Sequence, residues 1–154
     1  MMTMQGIEVL ARMENLGLSR SELARLTNWQ QSRVSEVVAA RRRTPPHVAS
    51  KLEELAAVAD QISEWLLEAG QARNEATPGG AVLVPSYTSD AAFWADWPEF
   101  DGVPASVHRA AAFEAVRSLQ EEGLPARLVD AGEAESGAAS DEGAASQESD
   151  GESV

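Results

Sequence analysis

At 154 residues, with a net charge of −13 and no cysteine, the chain has room for one domain or two small ones and excludes disulfides, thiolate zinc sites and cysteine nucleophiles. Its only histidines, His47 and His108, lie too far apart in sequence to suggest a metal site, so neither metal nor cofactor is expected. No apolar run approaches the roughly 18 residues of a membrane span. The start, MMTMQGIEVLARMENL, has no basic n-region and carries Glu8 and Glu14 within its apolar stretch, so it does not read as a signal peptide. The expectation is a soluble cytoplasmic protein without a membrane partner.

Charge is unevenly spread. Residues 1–50 hold seven arginines against four acids, residues 51–129 five basic residues against thirteen acids, and residues 130–154 eight acids and no base. Only the first third could attract an anion. Alanine fills 27 positions, which favours helices packed closely through small side chains.

In chain order, a first helix is predicted from about Gln5 to Asn15, with Ile7, Leu10 and Ala11 on its inner face, broken by Gly17. Ser19-Arg20-Ser21-Glu22 is a capping box that opens a short helix burying Leu23, Ala24 and Leu26. Asn28 tolerates the left-handed backbone of a tight turn. A third helix over 30–39 buries Val34, Val37 and Val38. Thr44-Pro45-Pro46 reads as a threonine cap followed by proline in the first turn. The fourth and longest helix carries Val48, Leu52, Leu55, Ala59, Ile62, Leu66 and Ala69 at alternating spacings of four and three. That register fits either a helix packed on its own core or a dimer seam through Leu55, Ala59, Ile62 and Leu66.

Residues 71–80 end in Thr77-Pro78-Gly79-Gly80 and read as a linker. Ala81–Val84 suggests a strand. Ser89 can cap a short helix that Pro98 stops, Ser106 a longer one that ends at Gly123, and Ala126–Val129 a second strand. Two strands form a marginal sheet alone, so this part is expected to need a partner surface. Tyr87, Phe93, Trp94, Trp97 and Phe100 read as a small core rather than a ligand cage. Residues 130–154 are nearly all Ala, Gly, Ser, Asp and Glu and are expected to be disordered.

The pair of short helices around Asn28 carries the functional signal. Two helices joined this way can lay the second in the DNA major groove while the first crosses the backbone. Ala24 lets them approach, and Leu23, Trp29, Val34 and Val37 provide their apolar contact. Residues 18–38, LSRSELARLTNWQQSRVSEVV, resemble the helix-turn-helix of lambda-repressor-like (XRE-type) DNA-binding proteins. The likeness rests on Ala24, the turn position, and the Gln31, Ser32, Val34 run. The chain departs from that pattern with Asn28 for glycine, Thr27 for leucine and a large Trp29. As a whole the chain is more loosely similar to anti-CRISPR-associated regulators, which are dimeric autorepressors of phage and mobile-element operons.

The resemblance implies that Gln30, Gln31, Ser32, Ser35 and Glu36 face base edges. Glutamine matches adenine N6 and N7, and glutamate can accept from cytosine N4. It further implies phosphate contacts by Arg20, Arg33, Arg41, Arg42 and Arg43. The expected architecture is mainly α: a helix-turn-helix bundle with the long helix over 1–70, a linker over 71–80, a small α+β dimerisation module over 81–129, and a disordered acidic tail over 130–154. The expected function is a homodimeric, sequence-specific transcription regulator, a phage or bacterial repressor on a palindromic operator in double-stranded DNA. The alternative is a protein-interaction module, an antitoxin or adaptor, using the acidic C-terminal half with the helix-turn-helix as scaffold. No enzyme motif is present: no GxxxxGK[ST], GxGxxG or HExxH occurs, and no small-molecule effector is evident.

Overall fold

A computed structural model of the chain describes residues 3–132. Six α-helices and a two-stranded parallel sheet make up the described part: α1 (Gly6–Leu16), α2 (Arg20–Leu26), α3 (Gln31–Val38), α4 (Pro46–Ala76), β1 (Val82–Ser86), α5 (Asp90–Asp96), α6 (Ala105–Glu121) and β2 (Ala126–Asp130). Among the described residues no helix is long and apolar enough to cross a membrane. Most of the expected acidic tail lies outside them. Its first residues do not behave as expected: Asp130 closes β2, and Ala131 is buried against the aromatic cluster.

Local signals account for much of the N-terminal part. Ser19 Oγ accepts from the Glu22 N–H, and Glu22 accepts from the Ser19 N–H, both at 3.1 Å, which closes the capping box of α2. Asn28 has φ of 52° and forms the turn into α3. Thr27, in place of an apolar residue, is buried and satisfies itself by donating its hydroxyl to Leu23 O at 2.7 Å. Val34 and Val37 are buried as expected, and Leu26, Trp29 and Val38 are partly buried on the same core.

The first helix turns a different face inward. Val9, Met13 and Leu16 are buried while Ile7 is 69% exposed. The cause is Gly6, where an added Cβ would lie 2.1 Å from Val37 O. Backbone-to-backbone docking of α1 on α3 at that point rotates positions 6, 9, 13 and 16 inward and Ile7 and Ala11 outward.

Helix starts also shift where prolines stand. Pro45, not Thr44, is the N-cap of α4, with ψ of 149°, because a residue preceding proline is pushed out of the helical region. Thr44 is buried and its Oγ1 has no hydrogen-bond partner. Likewise Pro104 precedes α6, so Ser106 lies inside the first turn. The cap comes instead from α5, where Asp90 Oδ1 accepts from the Ala105 N–H at 2.7 Å. Ser106 donates to Glu22 Oε2 at 3.4 Å, tying α6 to the start of α2. At the other end Gly123, with φ of 86°, closes α6 as expected.

The expected linker is largely helix. Helix α4 runs on to Ala76, since residues 71–76 are mostly strong helix formers. Gly70 is not a hinge: it is buried, and a Cβ there would sit 2.7 Å from Leu119 Cδ1 and 3.1 Å from Val82 Cγ1. Glycine lets α4 press against α6 and β1.

Three apolar clusters lie along α4. The first joins α1–α3 to Val48, Leu52 and Leu55, and also takes Val107 of α6. The second holds Ile62, Tyr87, Phe93, Ala105 and Ala111. The third packs Val82 and Val84 of β1 and Ala126 of β2 on Ala112, Val116 and Leu119 of α6. Strand β1 runs parallel to β2 in the register Val82↔Ala126 to Ser86↔Asp130, with α5 and α6 forming the crossover a parallel pair requires. The aromatic cluster is a core around Phe93, which is fully buried; Trp94 and Phe100 are partly buried and Trp97 lies at the rim.

The heptad register on α4 is therefore internal. Leu55 and Ile62 are buried, and Ala59 and Leu66 pack partly buried against the same clusters. The expected dimer seam is covered by the chain itself: Leu55 joins the cluster of α1–α3 and Val107, and Ala59, Ile62 and Leu66 pack towards the aromatic segment and α6.

Candidate nucleic-acid interface

The turn at Asn28 sets α3 against α2 and leaves one face of α3 open. Gln30 is the N-cap, with φ of −90° and ψ of 140°. Gln30, Gln31, Ser32 and Arg33 are exposed, and Ser35 and Glu36 are half-buried. Val34 and Val37 hold the opposite face in the core. This eight-residue helix thus leaves three uncharged hydrogen-bonding side chains, Gln30, Gln31 and Ser32, exposed at its start.

Helix α3 ends on a feature with no clear sequence signal. Ala40 takes φ of 61°, where glycine is the usual choice and a Cβ costs about 1–2 kcal/mol. The Arg41 N–H donates to Glu36 O at 2.8 Å and the Ala40 N–H to Val37 O at 3.0 Å. This cap folds residues 41–43 back alongside α3. Together with the start of α1, they line one open hollow that also includes Ile7 and Val38.

The arginines differ in their surroundings. Arg42 Nε pairs with Glu36 Oε2 at 2.7 Å, an exposed pair worth about 0–1 kcal/mol. Arg20 donates from Nη1 to Ser35 Oγ at 3.0 Å. Two of the expected base-facing residues, Ser35 and Glu36, are thus engaged by two of the expected phosphate-facing arginines. Arg33, Arg41 and Arg43 are exposed, and their guanidinium groups make no ion pair or hydrogen bond among the described residues. Their charge is free to meet an anion. Beside them, Trp29 meets His47 edge-on at a centroid distance of 6.0 Å, bracing the turn against the start of α4.

His108 lies apart from this face. It is buried, with Nδ1 2.8 Å from Ser86 Oγ, and both Tyr87 and Phe93 contact its ring edge-on. Burial, and then the neighbouring Arg109 charge, lower its pKa to about 4, so it is neutral near pH 7 and acts as a packed hydrogen-bonding group. The paired acids Glu53-Glu54 and Glu121-Glu122 are exposed. Among the described residues no three metal-ligating side chains are grouped to hold an ion.

No protein-family model and no curated protein matches the chain.

Proposed function

We propose that the chain is a homodimeric, sequence-specific DNA-binding transcription regulator, a repressor of the phage or bacterial kind, that reads the major groove with α3. One observation carries the reading. The exposed side of α3 carries Gln30, Gln31, Ser32 and Arg33, and the segment after it carries Arg41 and Arg43, all three arginines without an internal ion pair, while the chain as a whole carries a net charge of −13. Glutamine and serine supply base-edge donors and acceptors, and the arginines supply phosphate contacts that position the helix. The pairs Arg42–Glu36 and Arg20–Ser35 hold the rim of that face, and each is weak enough to exchange for a phosphate. Since the α4 register is internal, dimer contacts fall to exposed apolar residues of the C-terminal half such as Phe113 and Leu128.

Selection of bound fragments from random double-stranded DNA tests the reading. A palindromic motif is expected, with half-sites about one helical turn apart. Gln31→Ala should then cost about 1–3 kcal/mol and relax preference at one base pair per half-site. Arg43→Ala, free of internal partners, should weaken binding to all sequences and reduce the salt slope by about one. If no motif is selected by the folded protein, the interaction-module reading replaces this one.

A further inference from the structure

A cavity of about 240 Å³ opens between the C-terminal half of α4, β1 and the aromatic segment that follows α5. Trp65 and Ala69 of α4, Leu83 of β1, and Trp97 and Phe100 form much of its wall. Trp65, Leu83 and Trp97 stay 43%, 42% and 38% exposed, so three large apolar side chains gather at one mouth. The indoles of Trp65 and Trp97 lie 6.3 Å apart and 23° from parallel, with Phe100 tilted against both. An apolar cavity of about 150 Å³ holds benzene, so the 240 Å³ here suits one or two fused rings and is too small for a nucleotide.

Its polar side chains are few, Arg73 and His108. Arg73 lines the rim, where one Nη1–H donates to Leu83 O and fixes the guanidinium; the guanidinium has five donors, leaving others for a ligand. His108 lines the wall with Nδ1 engaged by Ser86, and Nε2 carries no hydrogen bond among the described residues. In a chain with 25 Asp and Glu, none lines this cavity. An apolar slot with a fixed cation at its rim and no competing acid selects a flat anion.

We propose that this cavity binds a small planar aromatic carboxylate of one or two rings, with the ring against Trp65, Trp97 and Phe100 and the carboxylate on Arg73. The site stands independently of the DNA-binding reading, and its test uses no DNA. Calorimetric titration of the full chain with 2-naphthoate should show saturable binding at one site per chain. The neutral 2-naphthalenemethanol should bind at least ten-fold more weakly. Arg73→Gln should remove that preference while leaving the alcohol's affinity unchanged. Ala69→Phe, which fills the mouth, should abolish binding of both with an unchanged circular dichroism spectrum. The proposal is overturned by a folded protein that shows no saturable binding, by equal affinities for acid and alcohol, or by binding that survives Ala69→Phe. It is equally overturned if the chain sediments as a dimer that Ala69→Phe dissociates, since the cavity is then a subunit contact.

Discussion

Acidification should destabilise this protein through one buried imidazole. His108 is 4% exposed, hydrogen-bonded to Ser86 of β1, ringed by Tyr87 and Phe93, and followed by Arg109. Burial first, and the Arg109 charge second, lower its pKa from 6.5 to about 4. Between those values the unfolded chain binds a proton that the folded chain does not. The contribution is therefore fully present above pH 6.5 and is lost as the pH falls towards 4. At about 1.4 kcal/mol per pH unit, the loss reaches about 1.4 kcal/mol at pH 5.5 and about 3 kcal/mol once the pH is at or below 4. Carboxylates titrate in the same range, so the measurement is a difference. Urea unfolding from pH 7.5 to 4.5 should be run on the parent and on His108→Asn, whose amide can still meet Ser86. The stability gap between them should narrow as the pH falls. A ring that titrates near 6.5 by NMR, or a gap that does not change with pH, refutes the reasoning.

Three further outcomes follow from the packing. Ser19→Ala should lower stability in urea by about 0.5–2 kcal/mol, because the Glu22 N–H loses its acceptor; an unchanged midpoint would show that the box contributes nothing. Gly6→Ala should destabilise by about 1–3 kcal/mol, although alanine is the better helix former, because its Cβ would meet Val37 O at 2.1 Å. A more stable variant would show that α1 does not dock there. Calorimetric melting should give one transition, because Val107 of α6 belongs to the N-terminal cluster and α4 runs through both halves; two separate transitions would show independent halves.

Features whose partners lie within a turn or two are legible in the amino-acid order alone. The capping box pairs residues 19 and 22, Asn28 needs only its own backbone freedom, and Gly123 closes a helix whose last residues immediately precede it. The exposed face of α3 was legible for the same reason: Val34 and Val37 mark the inner side, and Gln31, Ser32 and Arg33 must then point out. Each of these follows from helical geometry and short-range hydrogen bonding alone.

Other features were decided by elements far away in the chain. Which face α1 buries depends on Val37 O, and the N-terminus of α6 depends on Asp90. Gly70 carries no local sign of close packing, and Leu119 and Val82 close on it. A four-and-three apolar spacing on α4 states that the stripe must be covered, but not whether a second copy or the chain's own α6 covers it. At the candidate interface, Arg20 meets Ser35 across fifteen positions and Arg42 turns back to Glu36 through the left-handed Ala40; neither pairing has a local signature. The cavity beside Arg73 is built by α4, β1 and the segment after α5. Periodicity specifies that an apolar face will be buried, while only the packed chain selects the partner and leaves Trp65, Leu83 and Trp97 around an open space.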